Sequence, residues 1–105
     1  MTRVKFLSKD ERLYGFEILG HSSSDCDDFE GKIVCAAVSS AVYMTANTIT
    51  DIIEDGCDIT VDDALMRVGV NAPSEKTIAV LEGLKLHLTE LSKQYSKRIK
   101  ITTEV

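Results

Sequence analysis

The residues best suited to chemistry stand at the two ends of one stretch, LGHSSSDCDDFEGKIVCAAVSSA, which runs from Leu19 to Ala41. His21, one of two histidines, closes an alternating apolar run, and Cys35 opens a helix of small residues. An imidazole that takes and returns a proton, set beside a thiol that attacks as thiolate, is the minimal equipment for acyl transfer from an amide. The spacing places Cys35 at or just inside a helix N-terminus. Unpaired N–H groups and the positive end of the helix dipole would there favour a thiolate and receive a developing oxyanion. The same two residues also admit a plainer role. A cysteine beside small residues packs as a hydrophobe, and a histidine at a strand end satisfies its ring locally.

Other chemistries fit the pattern less well. His21, Cys26, Cys35 and Cys57 contain no short-spaced ligand pair, so no metal site is expected. Asp25, Asp27, Asp28 and Glu30 lack the glycine and terminal glutamate of a calcium loop at the required positions. Gly31-Lys32 is followed by Ile33 where a phosphate-binding loop requires Ser or Thr. His87, at the edge of a later helix, is given no role. A reversible disulfide between Cys26 and Cys35 would suit a redox sensor, although the spacing matches no known redox motif.

The chain has 105 residues, enough for one domain over 1–105 with one core. Its formal net charge of -5 argues against nucleic acid as a direct partner. The basic cluster Lys93, Lys97, Arg98 and Lys100 is expected to complement a helix C-terminus. No apolar run is expected to cross a membrane, and the N-terminus lacks the core of a signal peptide, so a cytoplasmic setting is expected.

Hydrophobic periodicity supplies the elements that must position the pair. Val4 and Phe6 alternate, as do Tyr14, Phe16 and Ile18, with the turn SKDER between them, which predicts a hairpin. Apolar residues from Val34 to Glu54 recur at helical steps, and Asp55-Gly56 supplies a glycine stop. Cys57, Ile59 and Val61, then Met66, Val68 and Val70, predict a second hairpin. Ser74 caps a long helix marked by Ile78, Leu81, Leu84, Leu88, Leu91 and Tyr95, and Arg98 to Val105 forms a last strand. The order is ββαββαβ, and the fold class α+β: a mixed sheet with two helices packed on one face. The loop from Ser22 to Lys32 is longer than most connections, which marks it as functional, and its composition suits a segment ordered by substrate.

The residues Gly20-His21, Gly31 and Ile33-Val34-Cys35-Ala36-Ala37-Val38-Ser39 resemble the ribosomal-processing cysteine protease (Prp) family over nearly the whole chain. The resemblance implies a peptidase that removes a short N-terminal extension from a large-subunit ribosomal protein precursor, cutting beside aromatic residues. It implies Cys35 as nucleophile, His21 as proton donor and acceptor, and Gly20, Gly31 and Ser39 as supporting residues. It further implies a homodimer that needs no metal or cofactor. Lys32 departs from the family, which commonly has an acidic residue there. The orienting carboxylate would then be Asp25, Asp27, Asp28 or Glu30, or be absent, and Lys32 could hold the thiolate by charge. A non-catalytic module that binds a ribosomal protein or assembling ribosome is the alternative function.

Overall fold

The computed structural model describes residues 1–20 and 28–105. Strands β1 (Thr2–Lys9) and β2 (Arg12–Leu19) form the expected hairpin. Its two-residue turn places Asp10 and Glu11 at φ 53° and 64°, the positive values that a tight hairpin requires. The register slips between Leu7 and Ser8, leaving Tyr14 as an extra residue and turning Leu13 into the core. Strands β3 (Cys57–Asp62) and β4 (Leu65–Val70) form the second hairpin, and β5 (Ile99–Glu104) runs parallel to β1. The sheet order is β3-β4-β2-β1-β5. Helices α1 (Phe29–Asn47) and α2 (Glu75–Gln94) share one core with the sheet, built on Phe6, Phe16 and Val68 below and Val34, Val38, Leu81 and Leu88 above. This is the expected ββαββαβ arrangement with both helices on one face.

Helix α1 departs from expectation at both ends. It starts at Phe29 rather than Val34, because the Asp28 side chain accepts the Gly31 N–H at 2.9 Å and so caps the first turn. Near its other end, the Thr45 and Thr48 hydroxyls donate to carbonyls four residues back, at 2.9 and 2.7 Å. Such back-bonding loosens a helix, and α1 widens into a π-helical turn over Thr48–Ile53. The left-handed stop falls on Glu54 at φ 66°, not on Gly56.

The stretch Phe29–Ile53 is also long and apolar enough, by length and composition, to cross a membrane, contrary to the expectation that no such run exists. Its apolarity comes from Ala, Val, Ile, Cys and Met side chains, diluted by Ser and Thr, in a run with no Lys or Arg after Lys32. Its Val34, Val38, Val42, Ala46 and Ile49 are spent on the sheet.

Just after that helix, Asp55 ties it to α2. One oxygen of its carboxylate accepts the Ser74 N–H at 2.9 Å, the Ser74 hydroxyl at 2.8 Å and the Thr77 hydroxyl at 2.5 Å. Ser74 is meanwhile the N-cap of α2, as its sequence position predicts. These bonds, the one from Thr77 foremost, hold the Asp55 carboxyl below its ordinary range. A carboxyl whose folded value is depressed stabilises the fold fully above its unfolded pKa of about 3.9 and ceases to do so as pH falls through the folded value. Asp55→Ala is therefore expected to lower the thermal unfolding midpoint near neutral pH, with the gap to the unaltered protein closing in strong acid. Circular-dichroism melts across that range check this, and a gap independent of pH would show that the ionised carboxylate is not the source.

Candidate functional site

Val34, Val38 and Val42 point α1 at the sheet and are essentially buried. Residues one position further along the helix, Cys35, Ser39 and Tyr43, consequently lie on its flank. There they line a cleft of about 180 Å³ whose other walls are Gly20 at the end of β2 and the tip of the β3–β4 hairpin, including Val61 and Met66. The half-buried Cys35 thus faces a mostly apolar hollow.

Gly20 is held there by backbone constraints. It sits at φ +84°, and a Cβ at this position would lie 2.6 Å from the Met1 carbonyl oxygen, so only glycine fits without strain. Its N–H donates to the Ala64 carbonyl at 2.9 Å, joining the end of β2 to the β3–β4 turn. The chain position immediately before His21 is therefore fixed at the cleft. His21 itself lies outside the described residues, as do Asp25, Cys26 and Asp27.

Cys35 does not stand where the sequence reading places it. With Phe29 as the first helical residue, Cys35 is the seventh, about 9 Å along the axis at 1.5 Å per residue. The unpaired N–H groups of the first turn are beyond its reach, and the field of the helix end falls off within that turn. Gly31, expected to support the site, is buried in the capped first turn rather than lining the cleft.

The carboxylates nearest the helix start have other engagements. Asp28 pairs with the Arg98 guanidinium, and Glu30 lies 3.5 Å from the same side chain. The hydrogen bond from Arg98 to Asp28 is also the chief reason that the guanidinium holds its proton more tightly than usual. Arg98 is thus not a helix-dipole partner as expected; it anchors the start of α1 to the start of β5. Only Lys93 of that basic cluster sits in the last turn of α2, where it bonds Glu90 at 3.0 Å. The Lys32 ammonium lies 5.8 Å from the centre of the Phe29 ring, a cation–π contact.

The other described cysteine has opposite chemistry. Cys57 begins β3, and burial, followed by the charges of Asp58 and Asp55, raises its thiol pKa. It is disfavoured as a thiolate and does not line the cleft. His87 lines a separate groove on the other flank of α1, with Met44 and Val80. Sequence periodicity missed Tyr43, Val61 and Met66 as site residues because they read as ordinary apolar positions; their convergence is set by packing alone.

Among proteins of known structure, this chain has the fold of the ribosomal processing protease Prp from S. aureus. That protein was solved with a covalently linked product peptide, at a TM-score of 0.86, 21% identity and coverage of 99% of this chain and 100% of that one. The protein SMU.848 of Streptococcus mutans gives a TM-score of 0.84 at 24% identity, covering 99% and 96%. A 1-deoxy-D-xylulose-5-phosphate synthase of Corynebacterium diphtheriae is 36% identical over 77 residues, 67% of this chain. The chain spans only 12% of the length of that synthase. The family model for cysteine protease Prp matches residues 1–100. With nearly the whole chain matched, this protein belongs to the cysteine protease Prp family and is a cysteine peptidase.

Proposed function

We propose that this protein is an endopeptidase that removes a short N-terminal extension from a large-subunit ribosomal protein precursor, with Cys35 as nucleophile and His21 as base and acid. The observation that carries the reading is the cleft: Cys35 faces an apolar hollow whose rim includes Gly20, the residue before His21. Thiolate attack on the scissile carbonyl forms a C–S bond and a tetrahedral oxyanion. Collapse breaks the C–N bond as protonated His21 gives its proton to the departing amine. Water, deprotonated by His21, then hydrolyses the thioester and restores Cys35. Ser39 lines the same cleft one helical turn further on and would position the substrate or the thiol by hydrogen bonding.

Two features support the substrate side. A mostly apolar hollow of about 180 Å³ suits one large side chain, in keeping with cleavage beside an aromatic residue. The S. aureus Prp, a relative in fold, was solved with a covalently linked product peptide. A homodimer acting in the cytoplasm without metal or cofactor belongs to the same proposal. An orienting carboxylate for His21 would be Asp25, Asp27, Asp28 or Glu30, or be absent, and of these Asp28 and Glu30 also meet Arg98.

Incubating the precursor ribosomal protein with this protein is expected to give one product shortened at its N-terminus, read by intact mass. Cys35→Ala should reduce the rate by about a thousandfold or more. Binding of the precursor without cleavage by either protein would instead mark a non-catalytic module. Gly20→Ala places a side chain at a positive φ and should cost about 1–3 kcal/mol of stability. Measured below its melting temperature, it should lower kcat more than it raises KM, because it displaces the chain before His21; equal kinetics would separate Gly20 from the chemistry.

A further inference from the structure

Strand β3 is an edge of the sheet, paired only with β4 among the described residues. Five of its six residues are exposed, from Asp58 to Asp62. Alternate residues of such a strand turn N–H and C=O outward, where an incoming strand can bond them. Its helix-side face carries Ile59 and Val61, which are 44% and 61% exposed although their partners Val68 and Met66 are buried. Val61 also lines the cleft that holds Cys35, so the open edge borders that cleft.

The charges of the strand itself have one sign, and Arg67, the cation opposite Thr60 on β4, pairs with Glu17 at 3.5 Å. From Ile33 to Met66 the chain contains no Lys or Arg, while Asp51, Glu54, Asp55, Asp58, Asp62 and Asp63 are acidic. Asp55 is engaged at the start of α2, and none of the others forms an ion pair among the described residues. Asp58 and Asp62 alternate with Ile59 and Val61, and so occupy the opposite face of the strand. The other edge, β5, lines no part of the cleft and carries Lys100.

We infer that the substrate polypeptide binds as a sixth strand along β3. Its apolar side chains face α1 and one enters the cleft, while basic side chains face Asp58 and Asp62. Main-chain bonds to the edge supply affinity in such a mode, and side chains of alternating character supply the register. The inference rests on the proposed peptidase reading for its substrate, and it adds where that substrate lies and why a basic segment is chosen.

The test uses a fluorescein-labelled synthetic peptide of alternating phenylalanine and lysine, and a series of it N-methylated at one amide at a time. Binding is read by fluorescence anisotropy with the Cys35→Ala protein, and cleavage by mass spectrometry with the unaltered protein. Methylation at every second amide is expected to weaken binding about three- to tenfold, the loss of one main-chain hydrogen bond, with the intervening amides tolerant. Asp62→Asn should weaken binding of the lysine peptide more than of its threonine counterpart, and added salt should erase the difference. Sensitivity without a period of two, or binding suppressed as a second copy of the protein occupies the edge at high concentration, would overturn the inference. Periodic binding without cleavage would leave the edge in place and sink the peptidase reading; cleavage without periodicity would do the reverse.

Discussion

The rotation of α1 about its own axis is the constraint from which the site follows. Val34, Val38 and Val42 recur every four residues, and their burial against Phe16, Met66 and Val68 allows one angular setting of the helix. Fully burying one such side chain contributes about 1.5–3 kcal/mol, so turning α1 by one residue would forfeit several of these gains together. Cys35, Ser39 and Tyr43 are each one residue, about 100°, from a buried valine. The thiol is therefore aimed by three side chains that have no chemistry of their own.

Translation of the helix is fixed by polar contacts instead. At its start, Asp28 both caps the first turn and meets Arg98, which enters from the far end of the chain. Beyond its end, Asp55 gathers three donors from the first turn of α2. Gly20 performs the matching task for the opposite wall, where its N–H and its close approach to Met1 join three strand ends. An apolar interface resists rotation and separation but permits sliding. Directional hydrogen bonds at both ends resist the sliding, and the two kinds of restraint complement each other.

Much of this framework was legible in the chain. The alternations in β1, β2, β3 and β4, the Ser74 cap and the leucine face of α2 are local patterns, and a local pattern can be read without knowing what it packs on. The start of α1 was harder, because the first helical turn, Phe29-Glu30-Gly31-Lys32, holds a glycine and two charges and shows no apolar repeat. Its stop was misplaced because Gly56 is the usual left-handed residue, while tertiary bonding through Asp55 brings Glu54 into that conformation. Arg98 looked like a helix-end cation because its partner Asp28 is seventy positions away. The pairing of Gly20 and Cys35 across one cleft was visible as motif, but its apolar walls come from α1, β2, β3 and β4.

The position of Cys35 decides how its activation can work. A helix terminus favours an anion by about 0.3–1 kcal/mol, and only within its first turn. Cys35 lies nearly two turns in, so this contribution is largely lost to it. A full positive charge at about 4 Å is worth roughly 4 kcal/mol at the effective dielectric of a protein surface, several times more. Under the proposed chemistry the imidazolium of His21 is therefore the dominant stabiliser of the thiolate, and its placement matters more than the helix. Gly20 fixes the chain one residue before it, at the rim of the cleft that Cys35 lines. Asp28 and Glu30, at the start of the same helix, both meet Arg98, so any carboxylate they would lend to the imidazole is shared with a guanidinium.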